Sequence, residues 1–382
     1  MTATLFAAPW ILLLLYLALR LRLPHELGVR TPHDADAPLV SVIIPARNEE
    51  HNIGTCAESV GASTYPNFEL IVVDDRSTDA TAGIAKGVHV QNAERYEVVA
   101  GAELPEGWLG KPWACAQGAR VARGEILLFT DADTVHHPEL LDRTVADLLD
   151  DAADAMTIMG RQFMLTFWER VVQPQVFFNL LLGFPDPSKP TPPKRWRRAI
   201  ANGQYILIHR TVYDEVGGHA AVKGAVVEDQ RFAQVLCKAG KRLDVRMAED
   251  HFGTRMYGSL PEMVEGWSKN IAMASKNAFP PLQALVALPA LIATGVVLWI
   301  VPVLVVVFDL LGVSLGVPVG VAQTVTVGSM AFWCAIVRRV GVPPLYGLLY
   351  PLGAVIAAYI FTRSWLRGGR VEWKGRRYVV GE

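Results

Sequence analysis

Several stretches of this 382-residue chain carry no charged side chain and are long enough to cross a lipid bilayer. One covers residues 2–19, and three lie between Lys276 and Arg363, where Asp309 and the pair Arg338–Arg339 separate them. A spanning helix needs about 17 to 25 mainly apolar residues, because the hydrocarbon core is ~30 Å thick. Since hydrocarbon offers no partner to backbone polar groups, the stretches predict helices and exclude a wholly soluble globule.

The charged residues are distributed unevenly, although 36 Lys and Arg almost balance 37 Asp and Glu. Residues 1–23 hold two bases and no acid, residues 277–382 hold eight bases and three acids, and residues 24–276 hold 26 bases and 34 acids. An acidic middle excludes a nucleic-acid-binding protein that depends on a large positive field. We predict an N-terminal anchor over 1–23, a middle domain over 24–276 and a C-terminal bundle with a basic tail over 277–382.

The order of charges around the first stretch indicates an uncleaved anchor. Arg20 and Arg22 follow the apolar run directly, whereas a cleaved signal peptide begins with its positive residues. Because positive residues favour the cytoplasmic side, we expect a multi-pass inner-membrane protein whose middle domain is cytoplasmic. Three later spans would leave the basic tail outside. An even number of crossings fits the tail better, either with a re-entrant or interfacial piece in the first gap, after Lys276, or with one gap that does not cross.

The middle domain alternates predicted strands with predicted helices. Four short β-branched or apolar runs predict strands, at residues 40–45, 68–73, 96–100 and 125–129. Helical spacing of apolar residues predicts helices between them, one beginning near Ile53 and another over 112–121. The alternation is typical of an α/β fold with a doubly wound, mostly parallel sheet.

Polar residues follow three of these strands, at 46–49, at Asp74–Asp75 and at 131–133. Ligands of such sheets bind at the carboxyl ends of the strands, so we expect the three segments to share one crevice. Neither G-x-G-x-x-G nor G-x-x-x-x-G-K-[ST] occurs at the first turn, which disfavours a dinucleotide enzyme and a P-loop NTPase. Asp131 and Asp133 are spaced to direct two carboxylates at one divalent cation, which also binds diphosphate oxygens. A solvated turn is the alternative.

Together these segments resemble the motifs of the family 2 glycosyltransferases. The resemblance covers about residues 38–270 and rests on four motifs in order, at 42–49, 71–79, 130–133 and 227–229. It implies a GT-A-like nucleotide-sugar transferase fold, a nucleotide diphosphate sugar as donor, and Mg²⁺ or Mn²⁺ as cofactor. The residues that it assigns to the donor are Pro45, Arg47, Glu49, Asp74, Asp75, Lys111 and Asp131.

The same resemblance assigns the chemistry to separate carboxylates. Asp131 and Asp133 would hold the metal on the donor diphosphate, and Asp229, beside Glu228, would be the catalytic base. The metal stabilises charge on the leaving diphosphate while the base takes the proton of the attacking hydroxyl. With the base opposite the leaving group, one displacement inverts the anomeric centre. His251 is a candidate third metal ligand, and a structural histidine is the alternative.

One motif of the processive members is incomplete in this chain. Members that build polysaccharide carry Gln-x-x-Arg-Trp, where this chain has residues 263–267 and keeps only Trp267, which we assign to the donor site. The difference argues against a polymer synthase. Without that arginine, the metal must neutralise the charge of the donor diphosphate, and Lys269 is a further candidate for this role. Residues 266–270 and the layout of the chain resemble bacterial glycosyltransferases associated with carotenoids and hopanoids, and more distantly ceramide glucosyltransferases.

The acceptor side is less defined. Aromatic and methionine residues are frequent over 156–184, either in a buried core or in a helix at the bilayer interface that admits an apolar acceptor. The proline-rich basic segment 185–198 predicts an irregular loop, solvated or acting as a lid. The expected reaction is non-processive, inverting transfer of a sugar to a membrane lipid hydroxyl. Two alternatives stay open: a polyprenyl-phosphate glycosyltransferase, whose anionic acceptor needs no strong base, and a catalytically inactive membrane scaffold subunit.

Overall fold

A computed structural model gives the fold, and the residues that it describes are 2–29, 37–183, 186–367, 370–373 and 376–379. The chain divides into two compact units. The helical unit consists of Met1–Arg22, Met164–Asp186 and Tyr257–Gly368, and the α/β unit consists of Leu23–Phe163, Pro187–Met256 and Gly369–Glu382. The segments predicted from sequence differ from this division, because residues 164–186 and 257–276 fall in the helical unit.

An eight-stranded mixed sheet forms the centre of the α/β unit. Its strands lie in the spatial order β1 (His25–Glu26), β10 (Leu243–Met247), β7 (Ala155–Met159), β9 (Tyr205–His209), β5 (Ile126–Thr130), β2 (Val40–Ala46), β3 (Phe68–Asp74) and β4 (Arg95–Ala100). Every pairing is parallel except those of β9, which is antiparallel to β5 and β7. The mostly parallel α/β sheet and the four predicted strands are therefore confirmed.

Hydrophobic clusters lie on both faces of this sheet. Val42 and Ile44 of β2 belong to one cluster and Ile43 belongs to the other, since successive side chains of a strand point to opposite faces. A parallel strand that is covered on both sides reads as a continuous apolar run, as this one does. The helices of the unit are α2 (Ile53–Gly61), α3 (Thr81–Gly87), α4 (Gly110–Val121), α5 (Leu140–Asp150), α7 (Arg210–Glu215) and α8 (Glu228–Lys238).

Two small sheets complete the strands of the α/β unit. One contains β6 (Thr134–His136), β11 (Phe252–Thr254) and β8 (Arg161–Gln162), with β11 in the middle and antiparallel to β6. The other is an antiparallel pair of β12 (Arg370–Trp373) and β13 (Arg376–Val379). Because β6 begins directly after Asp133, the first of these sheets continues from the predicted metal motif.

The aromatic and methionine-rich stretch over 156–184 is divided between the units. Met156 and Ile158 lie in β7 and are fully buried in the sheet core, which agrees with the core alternative for that part. Phe167–Gly183 forms α6, in the helical unit. The prediction that 185–198 lacks regular structure is wrong for its end, because Pro193–Arg198 forms a 3₁₀ helix. Proline suits the first position of a helix, where no backbone donor is needed; Pro185 lies outside the described residues.

The helical unit contains three segments that are long and apolar enough to cross a membrane, Pro281–Leu310, Val319–Arg339 and Pro344–Arg367. Phe6–Arg20 is a shorter apolar helix. The helices of the unit, besides α6, are α1 (Thr2–Arg20), α9 (Leu260–Ala278), α10 (Pro281–Trp299), α11 (Val301–Leu310), α12 (Val319–Arg339) and α13 (Tyr350–Arg367), with a 3₁₀ turn at Pro344–Leu349.

The first of the three segments is interrupted at Ile300, between α10 and α11. Pro302 lies at the start of α11, where its missing N–H and fixed φ favour a new helix over continuation of the old one. With 10 residues, α11 reaches only about 15 Å, which is half of a hydrocarbon core. The first gap therefore holds one helix of spanning length and one short helix.

The end of α13 lies beside α9. Arg363 Nη2 is 2.7 Å from Glu265 Oε2, Arg367 pairs with the other oxygen of Glu265, and the Ser268 hydroxyl donates to the Ile360 carbonyl over 3.4 Å. The helix that precedes the first candidate span is thus tied to the end of the last one.

Candidate active site

The carboxyl ends of three parallel strands bring the predicted polar segments together. In the pairing of β2 with β3, Ala46 lies opposite Asp74, and the next amide, of Asp75, donates to the Ala46 carbonyl over 2.8 Å. On the other side β2 pairs in parallel with β5, which ends at Thr130. The segments that follow these strands therefore lie at one edge of the sheet, as the sequence predicts.

The loops after β2 and β3 are joined by hydrogen bonds. Arg47 Nη1 donates to the Asp75 and Arg76 carbonyls over 2.6 and 2.8 Å. The Asn48 amide donates to Ser77 Oγ over 3.0 Å. Asn48 and Arg76 have positive φ values of 52° and 56°, which asparagine tolerates better than most residues. Asp75 is buried. Arg47 therefore positions the loop that carries Asp75.

Glu49 and Asp74 have supporting contacts in the same two loops. The Glu49 amide donates to Thr81 Oγ1 over 2.7 Å, and Glu49 Oε2 accepts from the Asn52 side chain over 3.0 Å. Asp74 Oδ1 accepts from the Ser77 amide over 3.3 Å. These contacts fix the loops in which the donor-binding residues are predicted.

A crevice next to these loops contains the predicted catalytic carboxylates. Lys111 Nζ lies 2.7 Å from Asp131 Oδ1 and 2.8 Å from Glu228 Oε1. Burial would lower the pKa of Lys111, but Asp131 and Glu228 outweigh it and hold the pKa well above its ordinary value. Lys111 is therefore a fixed cation between two acids. Other residues that line the crevice are Pro45, Cys115, Phe129, Ile206, His219 and Phe232.

Asp229 is held by two backbone amides in the same crevice. Gly203 donates to Oδ2 over 3.0 Å, and Gln230 donates to Oδ1 over 2.7 Å. Burial, followed by the nearby Glu228 carboxylate, raises the pKa of Asp229 to about 6. Asp229 is in the first turn of α8, where the helix dipole favours a negative charge. The carboxylate is thus ionised near neutral pH, oriented, and basic enough to accept a proton.

Asp133 has an unfilled acceptor. Its Oδ1 is buried and has no hydrogen-bond partner among the residues that the structure describes. Burial, Asp131 and then Glu49 raise the pKa of Asp133 to about 7, and burial is also the main cause that raises the pKa of Asp131. Buried acceptors without a partner are rare in proteins, and a divalent cation is a ligand that the Asp133 carboxylate can share with that of Asp131. The residues present therefore fit Mg²⁺ or Mn²⁺ at Asp131 and Asp133.

The turn that carries these two aspartates is supported on its backbone. Thr134 Oγ1 donates to the Asp131 carbonyl over 2.7 Å, and Thr254 Oγ1 donates to the Asp133 carbonyl over 3.1 Å. Gln204 Nε2 in turn donates to Thr254 Oγ1 over 3.2 Å. Such outer contacts orient metal-binding carboxylates.

His251 is not brought to this turn. In the pairing of β11 with β6, Thr254 lies opposite Thr134 and Phe252 opposite His136, so the chain runs away from Asp133 toward His251. The side chains whose ligand atoms lie near His251 are those of His137 and Glu139. The structure therefore does not group His251 with Asp131 and Asp133, contrary to its predicted place as their third metal ligand.

Trp267 lies on α9 in the helical unit, between two other aromatic rings. Its ring centroid is 5.5 Å from that of Phe177 and 5.8 Å from that of Tyr257. A Cβ on the preceding Gly266 would lie 2.4 Å from the Tyr257 ring. The position where processive members carry arginine thus has no room for a side chain here. The donor role of Trp267 stays a prediction.

Two further residues of the crevice, Gly203 and His219, were not among the site residues predicted from the sequence. A Cβ on Gly203 would lie 3.0 Å from Asp229 Oδ2, so glycine permits the contact with the carboxylate. His219 is buried, stacks on Phe232 at 5.3 Å and shares a 3.0 Å hydrogen bond with the Tyr213 hydroxyl. Burial lowers the pKa of His219 to about 3, so its ring is neutral. A lone histidine gives no sequence signal, and the contact of Gly203 with Asp229 depends on the fold.

The family model for glycosyl transferase family 2 matches residues 41–217. The 4,4'-diaponeurosporenoate glycosyltransferase of Staphylococcus aureus (strain MRSA252) is 26% identical over 378 residues, which cover 94% of this chain and 92% of the relative. The enzyme of that name from Staphylococcus haemolyticus (strain JCSC1435) is 26% identical over 65% of each chain.

Among solved structures, the chain is similar to the mannosyltransferase PcManGT from Pyrobaculum calidifontis, in complex with GDP-Man and Mn²⁺. The identity is 19%, the TM-score is 0.57, and the match covers 96% of this chain and 97% of that one. The likeness shows a shared fold, of the GT-A-like kind that the sequence predicts. From the family match, the relatives and the fold together, this chain is a glycosyltransferase that carries a family 2 domain over residues 41–217.

Proposed function

We propose that the chain is a metal-dependent enzyme that moves a sugar from a nucleotide diphosphate to a hydroxyl group of a membrane lipid, with inversion and one sugar at a time. The observation that carries the proposal is the crevice at the ends of β2 and β5, where Asp131, Glu228 and Asp229 lie with Lys111, and where the buried Asp133 Oδ1 two residues after Asp131 has no partner among the described residues. The crevice contains more acidic than basic side chains, and Lys111 alone does not balance their negative charge. A divalent cation would balance the rest.

In this proposal the donor is bound by residues of the strand ends. The loops that Arg47 joins hold the nucleoside, and one of them carries the buried Asp75. Asp131 and Asp133 hold Mg²⁺ or Mn²⁺, which when bound would stabilise the charge that develops on the leaving diphosphate. The mannosyltransferase PcManGT, which is similar in fold, was solved with GDP-Man and Mn²⁺, and this supports a donor and a metal of those classes.

Asp229 takes the proton from the attacking hydroxyl. Its two oxygens are oriented by the Gly203 and Gln230 amides, and its pKa of about 6 leaves it ionised but basic at neutral pH. Glu228 is less suited to this role, because its Oε1 is in an ion pair with Lys111. Glu228 instead keeps Lys111 in place. A single base opposite the leaving group gives inversion.

The acceptor is an apolar molecule of the bilayer. Three helices of spanning length and relatives named diaponeurosporenoate glycosyltransferases support a carotenoid-like or other lipid acceptor. The sequence order at Arg20 and Arg22 favours a cytoplasmic α/β unit. Because Glu265 of α9 pairs with Arg363 and Arg367 at the end of α13, we infer that the chain returns to the side from which α10 leaves. Such a return requires an even number of crossings, so either one of the three spanning segments does not cross or the short helix α11 supplies a further crossing, and it keeps the basic tail cytoplasmic.

The test uses the full chain purified in detergent with Mn²⁺ and labelled UDP- and GDP-sugars, together with lipid extracts of cells with and without the gene compared by mass spectrometry. The proposal expects a glycosylated lipid that depends on the gene and a transfer activity that Asp229→Asn removes. Asp229→Asn activity on a polyprenyl phosphate would favour that alternative acceptor. Failure to bind any nucleoside diphosphate with Mn²⁺ would favour an inactive scaffold.

A further inference from the structure

Two histidines and a glutamate meet on the α/β unit outside the crevice. They are His137 and Glu139, from the segment between β6 and α5, and His251, from the segment before β11. Their ligand atoms all lie within 4.8 Å of one another. His137 and Glu139 are exposed and His251 is half-buried, so a dissolved ion can reach all three.

The backbone holds the two segments in contact. The His137 amide donates to the His251 carbonyl over 2.8 Å, and the ring centroids of the two histidines lie 5.1 Å apart at an interplanar angle of 80°. Tetrahedral metal sites place their ligand atoms about 3.4 Å apart, given bonds of about 2.1 Å to the metal. Rotation of the three side chains can therefore bring their ligand atoms to this spacing while the main chain stays in place.

The neighbours of the cluster leave ligand atoms for a metal. Both hydrogen bonds from Arg143 go to Glu139 Oε2, at 3.0 and 2.5 Å, so Arg143 orients the carboxylate through one oxygen while Oε1 can bind. Asp250, next to His251, is paired with Arg161 at 2.8 Å. Metal binding must break one contact, the long 3.3 Å hydrogen bond that the Glu139 amide donates to His137 Nδ1. If the metal binds Nδ1 it takes the accepting lone pair, and if it binds Nε2 then Nδ1 carries the ring proton and cannot accept.

We propose that His137, Glu139 and His251 form a second metal site, for Zn²⁺ or a similar transition-metal cation, distinct from the carboxylate site at Asp131 and Asp133. Two imidazoles with one carboxylate are ligands that suit zinc, whereas Mg²⁺ and Mn²⁺ favour the all-oxygen set of the crevice. The ion would link the end of β6 to the start of β11. Because β6 starts directly after Asp133, this link would stiffen the antiparallel pair of β6 and β11, which follows the carboxylate motif directly.

The test measures zinc bound to the full chain in detergent, after chelation, equilibration with Zn²⁺ and gel filtration. It is done in the Asp133→Asn background, which disables the carboxylate site. We expect one zinc per chain there, retained in His89→Ala and lost in His137→Ala and in His251→Ala. His89 is an exposed histidine away from the cluster and is the matched control. Substitution of Co²⁺ should also give the intense visible absorption of a tetrahedral site.

A second readout separates metal binding from folding. Added Zn²⁺ should raise the unfolding temperature of the Asp133→Asn chain and leave that of its His137→Ala variant unchanged, while the zinc-free forms unfold alike. The proposal is overturned if His137→Ala and His251→Ala keep the same zinc content, or if His89→Ala loses as much as they do. If an alanine variant does not fold, Glu139→Gln, which keeps the shape of the side chain, is measured in its place with the same expectation.

Discussion

The backbone amide of Gly203 donates to Oδ2 of Asp229 over 3.0 Å, and a Cβ on Gly203 would lie only 3.0 Å from that same oxygen. The glycine comes just before β9, the strand that runs antiparallel within the sheet, and the aspartate begins α8. Two elements that are distant in sequence thus meet at the proposed base. The position of Asp229 depends on a residue that has no side chain of its own.

Gly203→Ala should reduce transfer while the fold is kept. The added Cβ would lie 3.0 Å from Asp229 Oδ2, so the carboxylate must shift by a few tenths of an ångström, and a misplacement near 1 Å can cost about 100-fold in rate. Because the shift is smaller than 1 Å, we expect a loss of about 10-fold in kcat, with little change in donor binding. Gly83→Ala is the control, because a Cβ at Gly83 meets nothing within 4 Å. Equal rates for the two variants would show that the glycine does not position the base.

The pH dependence should report the ionisation of Asp229. A base must be deprotonated to act, and the pKa of Asp229 is raised to about 6, so kcat/KM should fall as the pH drops below about 6 and level off above it. Asp229→Asn should lower the rate by about 10²- to 10⁴-fold and remove this acidic limb. The profile is measured at saturating Mn²⁺. A variant with the same limb and a small rate loss would rule out Asp229 as the base.

Glu69 should stabilise the sheet without a part in catalysis. It is fully buried in β3, where Ser41 Oγ and the Arg123 amide donate to Oε1 over 2.6 and 2.5 Å, and Arg95 donates to Oε2 over 2.8 Å. Burial alone would raise the pKa of Glu69, but these hydrogen bonds outweigh it and lower the pKa to about 2. The stabilisation is therefore complete above the ordinary pKa of 4.5 and is lost as the pH falls through about 2.

Glu69→Gln should accordingly lower the free energy of unfolding by about 2 kcal/mol at pH 7, the usual contribution of hydrogen bonds to a charged group. The difference from the parent should shrink as the pH is lowered toward 3. Urea unfolding of the full chain in detergent measures both, with Glu58→Gln, at an exposed position of α2, as the control. A Glu69→Gln variant as stable as the control at pH 7 would contradict the account.

The proposed topology places the α/β unit and the basic tail on the same side of the membrane. A cysteine at exposed Glu106, or one added after Glu382, should react with an impermeant maleimide only after spheroplasts are opened. A cysteine added before Met1 should react in intact spheroplasts. The parent is the background control, because its four cysteines are buried or half-buried. Reaction of the tail cysteine in intact spheroplasts would mean an odd number of crossings.

The strand ends were predictable because parallel strands that are buried on both faces leave a strong signal in sequence. Residues 40–45 read as one short β-branched run, and the polar segment that follows marks the end of the strand, which the structure places at Ala46. The place of β9 was not predictable, since a strand inserted antiparallel between β5 and β7 has the same apolar composition as its neighbours. Without that insertion, nothing brings Gly203 to Asp229.

His251 illustrates a second limit of sequence. His251 follows Glu249 and Asp250, and all three are residue types that bind metals. From the sequence alone, His251 is therefore a candidate ligand of the metal predicted at Asp131 and Asp133. The pairing of β11 with β6 decides its neighbours instead, and it places His251 with His137 and Glu139. Pairing of short strands depends on contacts across more than a hundred residues, which periodicity in one segment does not encode.

Calorimetric titration with UDP and with GDP, in the presence and absence of Mn²⁺, tests most directly whether Asp131 and Asp133 bind the donor through a metal. The account predicts that the parent and Asp229→Asn bind at least one of the two nucleotides with Mn²⁺. It also predicts that chelation or Asp133→Asn weakens this binding at least tenfold. Binding that is equally strong without metal, or in Asp133→Asn, would contradict it.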